Sequence, residues 1–147
     1  DSLGSWTDFV GDEYKSFSGT AVYTTTINKV PVADVIKLDL GSVAENASVY
    51  LNGDYIGTVI DSPYQLYIPA EKFKGQDELV VRVANSMANR IAYMDKKGVD
   101  WKIFYNVNMS ARKKENVKNG IFDASDWEPK SSGLLGPVTL TPAMVKQ

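Results

Sequence analysis

Between positions 89 and 127 the chain gathers Asn89, Arg90, Asp95, Asp100, Trp101, Tyr105 and Trp127. Aromatic faces stack on the apolar faces of pyranose rings, while amide, guanidinium and carboxylate groups hydrogen-bond to hydroxyls, so this mixture suits a sugar-like ligand. The same residues serve as well in a private mini-core, with Trp101, Phe104 and Tyr105 packed under a long loop, or in an interface to another domain. Buried aromatics outnumber exposed ones, and packing or docking therefore outweighs direct ligand contact.

Asp95, Asp100, Asp123, Asp126 and Glu128 supply enough carboxylates for glycoside hydrolysis, which needs two across a sugar-sized cleft, one with a raised pKa. Counting Glu115, six acids in the 34 residues 95–128 is close to ordinary usage, none sits in a recognisable motif, and a small β-domain seldom builds a deep cleft. The chain alone is expected not to be an enzyme. Asp123-Ala124-Ser125-Asp126 offers two oxygens for structural calcium but lacks the spacing of a calcium loop, and a turn cap ahead of Trp127 is the stronger reading. No other metal or cofactor is expected. Asn46-Ala47-Ser48 and Asn108-Met109-Ser110 match the glycosylation acceptor pattern, which is too short to carry weight.

What the chain lacks excludes more. Its 147 residues include no cysteine and no histidine, which removes disulfides, thiol nucleophiles, Cys/His zinc sites and His-based triads. A net charge of −2 gives no global attraction to nucleic acid or to an anionic membrane surface. No apolar run approaches the 18 or more residues of a membrane span, and DSLGSW is not a basic-then-apolar leader, so the chain reads as a mature or excised piece. With 44% hydrophobic and 23% charged residues it has the composition of one folded domain over residues 1–147.

Short strands position these residues. TAVYTTTIN (20–28) places Ala21, Tyr23, Thr25 and Ile27 on one face, and VIKLDLG (35–41) places Ile36, Leu38 and Leu40 opposite Lys37 and Asp39. ASVYLNGDYIGTVI (47–60) reads as a hairpin around Asn52-Gly53, the pair best suited to a type I′ turn, with Leu51 facing Asp54 and Val49 facing Ile56. LYIP (66–69), ELVVRVAN (78–85) and LLGPVTLTP (134–142) complete the series, with Pro137 marking an edge or strand start. The pattern predicts an all-β antiparallel sandwich and leaves jelly-roll and immunoglobulin-like topologies open.

From Asn85 to Gly133 the period-2 alternation stops, far longer than a typical connection of about 4–6 residues. Residues 86–133 hold nine Lys and Arg against six Asp and Glu, a net +3, and residues 90–118 hold eight against three, a net +5. Such runs are more often a solvated surface than an anion site. The segment opens with a predicted short helix: Ser86 caps it, Met87, Ile91 and Met94 lie a turn apart facing inward, and Lys96, Lys97 and Gly98 end it.

YKSFSGTAVYTTTI (14–27), SVAENASVYLNGDYIGT (42–58) with SPYQLYIP (62–69), and GLLGPVTLTP (133–142) together resemble the galactose-binding-like jelly-roll modules of bacterial glycoside hydrolases. The nearest likenesses are the family 2 sugar-binding domain and the accessory module of family 106 α-L-rhamnosidases. The resemblance implies a galactose-binding domain-like sandwich with a long, partly helical insertion before the last strand. It also implies a place beside a catalytic domain, usually without catalytic residues, in a secreted or periplasmic bacterial enzyme. Ligands of such folds sit at loops on one end, which makes 86–133 the functional or docking segment. The expected function is a non-catalytic carbohydrate-binding or structural accessory module. The alternative is a pure interdomain interaction module that leaves Met87, Ile91, Met94 or Phe104 bare, and a third reading is a self-sufficient carboxylate glycosidase. The partner is carbohydrate or a parent catalytic domain, not nucleic acid or membrane.

Overall fold

The computed structural model describes residues 3–103 and 113–143. The chain divides into two compact units: residues 1–6, 19–85 and 131–147 form the larger, and residues 7–18 and 86–130 the smaller.

The larger unit is an antiparallel β-sandwich. Strands β1 (Thr20–Ile27), β2 (Val35–Asp39), β3 (Ser42–Ala44), β4 (Asn46–Leu51), β5 (Asp54–Val59), β6 (Gln65–Pro69) and β7 (Asp77–Ala84) follow one another, and β10 (Gly133–Gly136) and β11 (Thr139–Pro142) close it. One sheet has the order β1-β7-β4-β5, a second β11-β2-β6, and β10 pairs with β3. Alternation in the sequence becomes the core: Val49, Leu51, Leu79, Val81 and Val83 of the first sheet and Leu38 and Ile68 of the second, joined by Leu40, are nearly inaccessible and form one cluster. Each such side chain contributes roughly 1.5–3 kcal/mol by leaving water.

The hairpin forms at Asn52-Gly53, with φ of 53° and 86°, and Leu51 faces Asp54 as predicted. Beyond that pair the register shifts. Tyr50 faces Tyr55 and Val49 faces Gly57, so Ile56 sits in a bulge instead of opposite Val49. The run 134–142 also divides at Pro137 into β10 and β11, because proline has no N–H to give a ladder, and β11 lies at a sheet edge.

Buried Asp77 ties the hairpin to the turn before β7. Its carboxylate accepts from Asn52 Nδ2 at 2.7 Å and from the backbone N–H of Lys74 at 2.8 Å and Gly75 at 3.0 Å, while Glu78 N–H donates to Asn52 Oδ1 at 3.0 Å.

The smaller unit holds helices α1 (Asp12–Lys15) and α2 (Ala88–Lys96) and a hairpin of β8 (Val117–Lys118) and β9 (Ile121–Phe122). Asn119-Gly120 turns that hairpin, a second Asn-Gly pair inside the stretch read as lacking strand pattern. Helix α2 ends where the sequence predicts: Gly98 N–H donates to Asp95 C=O and Val99 N–H to Met94 C=O, the paired closure of a Schellman motif. Its start differs in two respects: Met87, not Ser86, is the N-cap, with Ser86 Oγ accepting from Ala88 N–H only at 3.5 Å, and Met87 is 57% exposed while Ile91 and Met94 are half-buried. Met87 stands at the N-cap, four residues before Ile91, and its carbonyl accepts Ile91 N–H while its side chain stays outside the buried face. No described helix is long and apolar enough to cross a membrane.

Candidate functional site

The smaller unit is organised around Asp95. Its side chain, 1% exposed, accepts from Trp101 Nε1 at 2.7 Å and pairs with Lys102 Nζ at 2.7 Å through one oxygen. The other oxygen accepts from Ala124 N–H at 2.8 Å. A buried carboxylate is tolerated only when paired and hydrogen-bonded in this way. Two chain segments, residues 101–102 and the turn at Ala124, are thereby tied to the last turn of α2.

Asn89 performs the same service at the first turn. It is buried, donates through Nδ2 to Lys130 C=O at 2.8 Å and accepts Lys130 N–H at 2.8 Å, a two-way clamp on the segment that leaves the unit. Phe122 and Ala124 form a small core against Ile91, Ala92, Trp101 and Trp127. The Trp127 ring meets Phe122 edge-on at 5.8 Å and its Nε1 donates to Asn116 Oδ1 at 2.9 Å.

These contacts leave a groove of about 490 Å³ on the smaller unit. Helix α2 and its C-cap supply Asn89, Ala92, Tyr93, Lys96 and Lys97, spaced three and four apart and so on one face; α1 and the residue after it supply Asp12, Lys15 and Ser16; residues 125–129 supply Ser125, Asp126, Trp127, Glu128 and Pro129. Lys97 Nζ pairs with Asp12 at 3.2 Å. Two cations lie near the Tyr93 ring, Lys97 Nζ at 5.4 Å and the Arg90 guanidinium at 5.7 Å from its centroid.

Asp123 caps the turn ahead of Trp127. Its carboxylate accepts from the Ser125 hydroxyl and the Ser125 backbone N–H, and the hydroxyl bond is the chief reason its pKa is lowered. Lys118 bridges Asp123 at 3.4 Å and Asp126 at 3.0 Å, and the bond to Asp126 is the main cause raising the Lys118 pKa. Among the described residues no group of three or more His, Cys, Asp or Glu side chains is arranged to hold a metal ion.

Of the residues singled out in the sequence, Asn89 and Trp127 line this groove, and Arg90 reaches it through the Tyr93 ring. Asp95 and Trp101 lie behind it as a hydrogen-bonded pair in the interior. Asp100 is exposed and Tyr105, with Phe104, lies outside the described residues. Sequence reasoning missed Tyr93, Lys96 and the residues of α1. The first two carry a readable signal, since Asn89, Tyr93 and Lys96 recur at i, i+4 and i+7. Residues 12–16 carry none, because only folding adds them to the same unit.

With this geometry in view, likeness to known proteins becomes informative. A rhamnosidase from Novosphingobium sp. PP1Y superposes over 94% of this chain with a TM-score of 0.73 and 29% identity, and the match occupies 12% of that enzyme. The chain resembles one module of a large glycoside hydrolase. A candidate beta-glucuronidase from Formosa agariphila is 34% identical over a 155-residue alignment that covers 95% of this chain and 13% of that protein. The chain thus spans about an eighth of the length of either relative. A beta-galacturonidase from Eisenbergiella tayi is a more distant match, with a TM-score of 0.46 and 22% identity over 56% of this chain and 14% of its own. No protein-family model matches the chain.

Proposed function

We propose that the chain is a non-catalytic accessory module of an exported, polysaccharide-degrading glycoside hydrolase, and that the groove of its smaller unit contacts carbohydrate. The observation that carries the module role is an asymmetry of coverage: nearly the whole chain matches 12–13% of two far longer hydrolases. Carbohydrate contact is supported by the groove itself. Tyr93 and Trp127 give ring surface, and Ser16, Ser125, Asp126 and Glu128 give donors and acceptors for hydroxyls.

The deployment of the acids supports the non-catalytic reading. Asp95 is buried under three partners, and Asp123 and Asp126 are held by Lys118. The carboxyl groups of Asp39, Asp77 and Asp123 are all shifted down, the opposite of what a general acid needs.

Titration of the whole chain with neutral and acidic oligosaccharides tests this, alongside an assay for release from aryl β-glucuronides and aryl α-rhamnosides. Binding with a Kd of about 1 mM and no release is the expected outcome. Any turnover by the purified chain would overturn the non-catalytic assignment.

A second reading, docking onto a catalytic neighbour, is favoured by one specific observation. Within residues 7–18 of the smaller unit, Phe9, Val10, Tyr14 and Phe17 are all exposed, with Val10 at 95%, and Phe9 and Tyr14 pack edge to face at 5.4 Å. Absence of sugar binding, together with tight association with a separately produced catalytic domain of the parent enzyme, would favour this reading over the first.

A further inference from the structure

Taking the groove as a carbohydrate site, we infer that it selects saccharides bearing an anionic group, a ring carboxylate or sulfate, with Lys15 and Lys96 as the residues that read the charge. Some of the charges in the groove are already matched and others are not. Six ionic side chains line it: Asp12, Asp126 and Glu128 against Lys15, Lys96 and Lys97. Lys97 and Asp12 pair at 3.2 Å, and Lys118, which is not a lining residue, is shared between Asp126 at 3.0 Å and Asp123 at 3.4 Å. What remains is Lys15 and Lys96, neither with a charged partner among the described residues, against Glu128 and the part of the Asp126 charge that the shared Lys118 leaves unmatched.

An unpaired ammonium has three donors and no acceptor, so its best partner is an anion. Glu128, acceptor-only when ionised, can take a hydrogen bond from a sugar hydroxyl but cannot satisfy both ammonium groups. The two lysines stand on different elements, α1 and α2, so the pair is held by the fold and not by one helix repeat. Arg90, placed over the Tyr93 ring, adds a third positive group next to the aromatic surface. A neutral pyranose would leave this excess unused, whereas a ring carboxylate or sulfate would engage it while the ring rests against Tyr93 or Trp127.

The test is calorimetric titration of the 147-residue chain with five probes: galactose, galactotriose, trigalacturonate, galactose 6-sulfate and inorganic sulfate. At low ionic strength trigalacturonate or galactose 6-sulfate should bind at least about fivefold tighter than their neutral counterparts, as two partly exposed ion pairs allow. The preference should collapse in about 0.5 M salt and in the Lys15→Gln/Lys96→Gln variant. Whichever anionic probe wins identifies the carboxylate or the sulfate as the natural group. Equal affinity for galactotriose and the anionic probes would overturn the inference while leaving the carbohydrate reading intact. Inorganic sulfate binding as tightly as the sugars would overturn it as a bare anion site, and silence from every probe would overturn both. Both lysines are exposed, so an unchanged circular dichroism spectrum is expected for the variant. Should the spectrum change, the Lys15→Arg/Lys96→Arg variant, which keeps both charges, must retain the preference.

Discussion

The indole N–H of Trp101 donates to the carboxylate of Asp95 across 2.7 Å in a site where that carboxylate is 1% exposed. Two residues whose types fit a sugar site are thus bonded to each other, and the smaller unit is built on their pairing. Which residues form the frame and which remain for a ligand follows from such bonds and not from residue type.

Asp95→Ala should destabilise the smaller unit by about 3 kcal/mol, because it strands the Trp101 indole, the Ala124 amide and the Lys102 ammonium at once. Asp95→Asn keeps an acceptor oxygen for Trp101 but loses the charge that pairs Lys102 and sets an amide NH2 against the Ala124 N–H, so about 2 kcal/mol is expected. Urea unfolding followed by tryptophan fluorescence checks the pair. Identical midpoints for the two variants would mean that the carboxylate's hydrogen bonds are not what holds the unit.

Trp127→Phe keeps the edge contact with Phe122 and removes the bond from Nε1 to Asn116. A cost of about 1 kcal/mol is expected, with sugar binding nearly retained. Tyr93→Ala inverts the pattern: stability is nearly unchanged, and binding weakens by roughly fivefold or more as its ring surface is lost from the groove. Loss of binding in Trp127→Phe alone would move the contact away from Tyr93.

Gly41→Ala and Gly53→Ala separate two demands on glycine. Both sit at positive φ, 67° and 86°, so each substitution costs about 1 kcal/mol for the backbone. A Cβ at Gly53 meets nothing within 4 Å, whereas one at Gly41 falls 2.4 Å from the Gly136 carbonyl carbon. Gly41→Ala is therefore expected to cost at least about 2 kcal/mol more than Gly53→Ala, or to prevent folding. Equal thermal midpoints would show that the backbone at Gly136 yields freely.

The sandwich was legible because alternation decides burial: Leu38, Val49, Leu79, Val81 and Val83 each fall inside where period 2 puts them. Two hairpin details were not. The bulge at Ile56 depends on how side chains pack across the sheet, and the turn at Asn119-Gly120 joins strands of only two residues, too short to show a period. The groove was half legible. Helix α2 was visible from its spacing and its Lys-Lys-Gly end, but Asp12, Lys15 and Ser16 are about 75 residues away in sequence from that helix and join it only through tertiary contact. Asp95, Asp100, Trp101 and Asn89 looked alike as candidates because sequence gives residue type without orientation. Once the hydrogen bonds are known, Asp95 and Asn89 are largely occupied and Tyr93 is not.

Asp77 sets a pH dependence whose sign can be worked out. Burial opposes its ionisation, yet the bonds from the Asn52 amide and from the backbone N–H of Lys74 and Gly75 outweigh that opposition and lower its pKa. A group whose pKa is lower folded than unfolded contributes stability above the unfolded value, about 3.9, and loses it as pH falls through the folded value. The wild-type urea midpoint should therefore hold from neutral pH down to about pH 4 and decline below it. Asp77→Asn should start about 1–2 kcal/mol lower at neutral pH and decline less steeply, so the two curves converge as pH falls through the lowered folded value of Asp77. Asp39 and Asp123, also lowered, titrate in both proteins and cancel in the difference. A gap between the curves that is the same at pH 2 as at pH 7 would mean that Asp77 acts by shape and not by charge.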